Sequence, residues 1–145
     1  MTQFSIKSVL LVDDDPAATF INKVFIRNLP LEVDVYSASD GKDALDLLDE
    51  MSISLNEQQS FVPCLLILDI NMPVMDGWEF LDAYTHRYSK EIKNNITIVV
   101  TTMSEDERDI IKASNNPMIK EFVQKPLSDE KLLEIVEKHF MEKQN

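Results

Sequence analysis

The strongest constraint on this chain is an alternation of two patterns. Five short, largely apolar runs occur at Ser8 to Val12 (SVLLV), Glu32 to Ser37 (EVDVYS), Cys64 to Leu68 (CLLIL), Ile96 to Val100 (ITIVV) and Glu121 to Gln124 (EFVQ). Runs this short, bounded by polar residues, fit strands and not helices. Between them lie Pro16 to Leu29, Gly41 to Met51, Trp78 to Tyr88 and Glu105 to Ser114, and Asp129 to Phe140 closes the series. These segments carry apolar residues at helical spacing, such as Phe20, Ile21, Val24 and Phe25, or Leu132, Leu133, Val136 and Phe140. Start signals agree with helices. Asp15 reads as an N-cap before Pro16, Ser104 with Glu107 fits a capping box, and Ser128 is followed by two acids.

Strands that alternate with helices build a parallel sheet covered on both faces. The runs beginning at Ser8, Cys64 and Ile96 are almost continuously apolar, as central strands of such a sheet are. Val33, Asp34 and Val35 alternate instead, which marks a half-exposed edge strand. The expectation is an α/β chain with three layers: a doubly wound, five-stranded parallel sheet in the order 2-1-3-4-5. No repeat or Gly/Ser linker divides it, so residues 1–145 read as one domain with a core from about 7 to 140 and no output domain. The one long irregular stretch, Ser52 to Pro63, reads as a polar surface loop.

Charge narrows the partners. The chain has 26 Asp and Glu against 14 Lys and Arg, a formal net charge of −12, with 44% hydrophobic residues. That apolar fraction supports a core and excludes a disordered acidic tail. Scattered cations under a net negative charge disfavour DNA and anionic membranes. Cys64, the single cysteine, opens an apolar run and reads as a core residue in a reducing compartment. The first apolar run is too short for a signal sequence or a membrane span, so a soluble, cytoplasmic protein is expected.

Open parallel sheets bind ligands beyond the carboxyl ends of their strands. The residues just past the runs are Asp13, Asp14 and Asp15; Asp69 and Asn71; Thr101 and Thr102; and Lys125 with Pro126. Each alone is ordinary, since an Asp after a strand is more often a turn or helix cap and a Lys-Pro pair is more often loop. Together they put carboxylates, a hydroxyl and an ammonium on one edge. Crowded carboxylates repel and raise one another's pKa unless a cation joins them. A hard divalent ion such as Mg²⁺ meets that need, Lys125 suits a phosphate, and a carboxylate beside both can act as a nucleophile towards phosphorus. The acidic pair can be Asp13 with Asp14 or Asp14 with Asp15, the cap preference favouring the first, and Thr102 could replace Thr101. His86 and His139 lack metal-ligand spacing, and His139 suits the carboxyl end of a helix. Met72, Met75 and Trp78 read as packing.

The segments VLLVDDDP, LILDINMPVMDG, VVTT and FVQKP resemble the receiver domain of two-component response regulators, a flavodoxin-like fold, over roughly Lys7 to Phe140. The resemblance implies that Asp69 is the phosphoacceptor and that Asp13 and Asp14 hold Mg²⁺ with Asp69 and the backbone carbonyl of Asn71. It implies that Thr101 and Lys125 engage the phosphoryl group, and that Phe122 is an aromatic switch that follows Thr101. It further implies that a cis peptide precedes Pro126, that Pro73, Asp76 and Gly77 shape the loop after Asp69, and that Asn71 and Met103 modulate dephosphorylation. The implied partners are a histidine kinase or histidine phosphotransfer protein and a downstream target protein, with the chain a monomer or a phosphorylation-dependent dimer. Output would pass through the fourth helical segment, the fifth strand and the last helix, where Glu105, Asp106, Glu107, Lys120 and Glu121 form no basic patch for DNA. Two departures stand out: Phe122 replaces a tyrosine, and Asn115, Asn116 and Pro117 form a turn where relatives commonly have glycine. Two other functions have requirements of their own. A phosphorylation-independent docking receiver needs none of the intact site, and an aspartyl-phosphate phosphohydrolase needs an acid where Asn71 stands. A signalling receiver, not an enzyme in its own right, is the expectation.

Overall fold

In the computed structural model, which describes residues 4–53, 60–103 and 105–141, the apolar runs become five strands. They are β1 (Ser8–Val12), β2 (Asp34–Ala38), β3 (Cys64–Asp69), β4 (Ile96–Thr102) and β5 (Ile119–Gln124). All neighbours pair parallel, in the order β2-β1-β3-β4-β5. The helices are α1 (Pro16–Arg27), α2 (Gly41–Ile53), α3 (Gly77–Arg87), α4 (Lys90–Asn94), α5 (Glu107–Ser114) and α6 (Asp129–Phe140).

Side-chain alternation along the strands sorts the core into two layers. Leu10, Val12, Leu66, Leu68, Ile98 and Val100 face α2 and α3, meeting Ala44, Leu48, Phe80 and Tyr84. Val9, Leu11, Leu65, Ile67 and Val99 face the other way, onto Ile26 of α1 and Leu132, Ile135 and Phe140 of α6. β1 and β3 are buried along their whole length, and β2 is the half-exposed edge that its alternation implies. Cys64 lies inside the first layer, where burial pushes its thiol up to about 12, so it behaves as an inert core residue.

Several boundaries differ from the sequence reading, each for a local reason. α4 is a single turn that periodicity cannot register. It is capped by the Ser89 hydroxyl, which accepts from the Ile92 amide at 3.3 Å, and its Lys93 ammonium donates to the Thr85 carbonyl at 2.6 Å. α5 begins at Glu107 because Asp106 caps it, accepting from the Arg108 amide; Ser104 lies outside the described residues. The reciprocal capping box sits instead at Asp76 and Glu79, opening α3. Within the stretch expected to be a polar loop, α2 runs on to Ile53 and Phe61 is buried, its carbonyl accepting from the Ser8 hydroxyl at 2.6 Å. The core also reaches past residue 7: Ile6 is buried, and Phe4 bridges antiparallel to Met141.

His139 does more than complement a helix end. Its Nε2 lies 2.9 Å from Glu121 Oε2, and Lys131 Nζ lies 3.3 Å from Glu121 Oε1, so two cation-capable groups of α6 clamp one carboxylate of β5. Burial alone would raise the Glu121 pKa, but the hydrogen bonds from His139 and Lys131 outweigh it and hold the carboxyl below its usual range. Stability from a depressed carboxylate is present above its unfolded pKa and lost as pH falls through the folded one. Acid titration of folding should therefore be less steep in Glu121→Gln than in the native chain, read by urea midpoints from about pH 5 downward. The glycines give a second test. A Cβ on Gly77 would lie 2.7 Å from the Ile70 Cα and 2.8 Å from the Asp69 carbonyl oxygen, both backbone atoms. On Gly41 the nearest atom is the flexible Met75 Cγ, although the Met75 carbonyl oxygen is close behind at 2.9 Å. Gly77→Ala should destabilise by about 1–3 kcal/mol and Gly41→Ala by less, measured by denaturant unfolding.

Candidate functional site

The carboxyl ends of β1, β3, β4 and β5 converge on one edge of the sheet. β1 is prolonged by the Asp13 amide, which donates to the Ala38 carbonyl at 3.1 Å. The Asp13 carboxylate then accepts from the Asp15 amide at 2.9 Å, which turns the chain into α1. Asp15 itself accepts from the Ala17 amide and is the N-cap of α1. β3 ends on Asp69, level with Thr101 of β4, and the Ile70 amide donates to the Thr101 carbonyl at 3.2 Å. Asp69 Oδ1 accepts from the Asn71 amide at 3.1 Å. On the other side the Lys125 amide donates to the Thr102 carbonyl at 2.8 Å, which aims the lysine side chain back over the sheet.

Lys125 Nζ lies 2.7 Å from Asp13 Oδ2 and 3.1 Å from Asp69 Oδ2. Carboxylate oxygens of Asp13, Asp14 and Asp69 fall within 4.8 Å of one another. Asp13 and Asp69 are 8% and 3% exposed, whereas Asp14 opens to solvent. The structure thus groups Asp13, Asp14 and Asp69 with Lys125 and leaves Asp15 as a cap. Thr101 lines the same cavity, of about 630 Å³, with Asn71, Met103 and Pro126. Thr102 is fully buried and takes a weak hydrogen bond at 3.4 Å from the Asn71 side-chain amide instead. Phe122 does not line the cavity. It is half-buried, level with Val100 in register, and packs against the core layer beneath α2 and α3, one residue out of step with Thr101.

Burial raises the Asp69 pKa, and the Asn71 amide and the Lys125 ammonium only partly offset it, with the Asp13 charge adding to the rise. Burial opposes the charge on Lys125, but the hydrogen bond and the charge of Asp13, with Asp69 behind them, outweigh it and raise its pKa above the ordinary lysine value. A buried carboxylate is left short of positive charge while the ammonium is already divided between two acids. Such an arrangement can receive a divalent cation or an electrophilic anion that brings one.

Three supporting features were not legible in the sequence. The loop behind Asp69 is held by a tight turn in which the Met75 amide donates to the Pro73 carbonyl at 2.8 Å, with Val74 at φ 70° and almost fully exposed. Gly41 donates its amide to the Met75 carbonyl at 3.1 Å, tying the start of α2 to that loop. Trp78, expected in the core, is half-buried, and Lys112 of α5 stands 4.6 Å above its ring. The peptide before Pro126 is cis, as is that before Pro63. Among the described residues no helix is long and apolar enough to cross a membrane.

Comparison with known proteins gives this site a family. The chain is 28% identical over 136 residues to the probable C4-dicarboxylate response regulator DctR of Bacillus subtilis, covering 94% of this chain and 53% of that protein. It is 31% identical over 106 residues to the nitrate/nitrite response regulator protein NarL of Escherichia coli, covering 73% of this chain and 42% of the other. The chain therefore spans about half the length of these curated relatives. A two-component response regulator from Cytophaga hutchinsonii superimposes with a TM-score of 0.75 at 30% identity, over 92% of this chain and 96% of that one. Residues 9–137, which carry four strands, all of β1 but Ser8, and every residue of the acidic cavity, match the family of response regulator receiver domains, and the chain belongs to it.

Proposed function

We propose that this chain is a phosphorylatable receiver that takes a phosphoryl group onto Asp69 from a phosphohistidine of a histidine kinase or phosphotransfer protein. In our reading residues 1–145 act as a single receiver domain, in the cytoplasm, as a monomer or as a dimer formed on phosphorylation. The observation that carries it is the shared ammonium: Lys125 lies within hydrogen-bonding distance of both Asp13 and Asp69 while Asp14 stands beside them.

The donor set suits Mg²⁺. It consists of hard oxygens from three carboxylates, and one ammonium among them leaves negative charge unbalanced. Asp13, Asp14, Asp69 and the backbone carbonyl of Asn71 would hold the ion. When bound it would neutralise charge on a transferring phosphoryl group. The chain's own residues do the rest. An Asp69 carboxylate oxygen attacks phosphorus, the phosphorus–nitrogen bond of phosphohistidine breaks, and the imidazole leaves with that electron pair. The Asn71 amide orients Asp69 by holding its Oδ1. Lys125 can turn from Asp13 to a phosphoryl oxygen, and the Thr101 hydroxyl supplies a further donor from the cavity wall. Thr101 drawn inward leaves space that Phe122, on the adjacent strand, can fill. Output would then change on the surface of α5, β5 and α6, where Ile110 and Ile111 are exposed apolar side chains. A phosphohydrolase would need an acid in place of Asn71, which has no proton to give a leaving group.

Two measurements test this reading. With Mg²⁺ and a small phosphodonor the native chain should gain one acid-stable, base-labile phosphoryl group by mass spectrometry. Asp69→Asn should gain none, and EDTA should abolish the reaction; equal labelling of the variant would remove Asp69 from its role. The second is thermodynamic. An acid whose folded pKa is raised costs stability once ionised, and the cost grows as pH rises through its folded pKa. Metal-free Asp69→Asn should therefore unfold at a higher temperature than the native chain at neutral pH, with the gap closing in acid. Mg²⁺ at a hundredfold excess over its dissociation constant should add about 2.7 kcal/mol to the native chain, and less to the variant.

A further inference from the structure

Beside the acidic cavity lies a second depression, of about 700 Å³, between α1 and α2. It is floored by Ser37 to Ser39 at the end of β2 and by Asp13 and Asp14 at the end of β1. One wall is the α1 stripe Pro16, Thr19, Phe20 and Lys23, at the spacing of a single helix face. The other is the α2 stripe Asp43, Asp46, Leu47 and Glu50, again one face. Phe20 is 67% exposed here and is the large apolar side chain that α1 presents to the groove, whereas Ile21 lines the acidic cavity instead. The opposite wall is acidic. Asp43 takes a hydrogen bond from the Ser39 hydroxyl, while Asp46 and Glu50 form no ion pair among the described residues. Among the described residues, Lys23 is the one cation lining the groove.

We propose that this groove docks a helix of a partner protein that is cationic along one side and carries an aliphatic anchor on the other. Charge complementarity names the occupant: three carboxylates on α2 face the groove, and a helix with Lys or Arg on that side would neutralise them while its anchor covers Phe20. Two helical walls accept the ridge of a third helix. A second copy of this chain is a poor fit, since it brings the same acids and a net charge of −12. Asp13 and Asp14 belong to both depressions, so a helix seated here lies against the edge of the acidic cavity. The docking needs no phosphoryl group and stands whether or not Asp69 is modified.

The test uses the full ¹⁵N-labelled chain and a peptide of about 15 residues, with Leu on one helical face and Lys on the other. Controls are a scrambled peptide of the same composition and one with Glu for Lys, all at about 150 mM salt. Amide shifts should map to α1, α2 and the ends of β1 and β2. Binding should weaken about tenfold in Phe20→Ala and in the double variant Asp46→Lys/Glu50→Lys. The charge-matched pair Glu130→Lys/Glu137→Lys on α6 should bind as the native chain does. Dispersed amide spectra and unchanged labelling by the small phosphodonor will show that the groove variants keep their fold and the neighbouring site. Equal binding of the scrambled peptide, equal weakening by the α6 pair, or shifts centred on another face would overturn the proposal. So would a dimer in sedimentation that Phe20→Ala dissolves, because the occupant would then be a second copy.

Discussion

One ammonium lies between two carboxylates that are 56 residues apart in the chain. Lys125 reaches Asp13 from the end of β5 and Asp69 from the same point, bracing the carboxyl ends of the outer and central strands against one another. In the parallel order β2-β1-β3-β4-β5, β1 and β3 lie adjacent with β5 two strands further on, which is the spacing the bridge spans. Burial of Asp69 pushes its pKa up, and the Asn71 amide and Lys125 partly offset the loss of water. The sheet holds the acids close, and the lysine makes their closeness tolerable.

Much of the architecture can be read from the residues because each central strand is a nearly continuous apolar run followed at once by polar residues. The core strands are buried on both faces, so their runs are nearly continuous, and the chemistry begins where they stop. Of the three aspartates after β1, helix capping separates the roles: Asp15 satisfies an orphan amide of α1, which leaves Asp13 and Asp14 to turn towards Asp69. What could not be read involves partners distant in sequence or elements too short to show a period. α4 is one turn. Phe61 enters the core from a stretch that reads as polar, and the contact of His139 with Glu121 spans 18 positions with no local signal. Lys112 over Trp78 is of the same kind, since nothing in either helix announces the other.

The acidity of the chain resolves into separate populations. The buried Asp13 and Asp69 and the exposed Asp14 form the group whose repulsion bears on chemistry. Asp15, Asp76 and Asp106 are caps that organise helix starts, and Glu121 is a structural anchor clamped by α6. Others, such as Asp46 and Glu50, line a surface groove and serve neither purpose. Net charge alone would treat all of them alike, yet only their surroundings decide whether a carboxylate binds, caps or braces.

Trp78 is the only tryptophan in the chain, and it sits where two mobile questions meet. Its backbone follows the loop behind Asp69, while its ring is covered by an ammonium belonging to α5. Indole emission responds to a nearby positive charge and to water, so any displacement of α5 away from α3 alters the signal at its source. The molecule therefore carries an optical label of its own, placed between the acidic cavity and α5, with no second indole to blur the record.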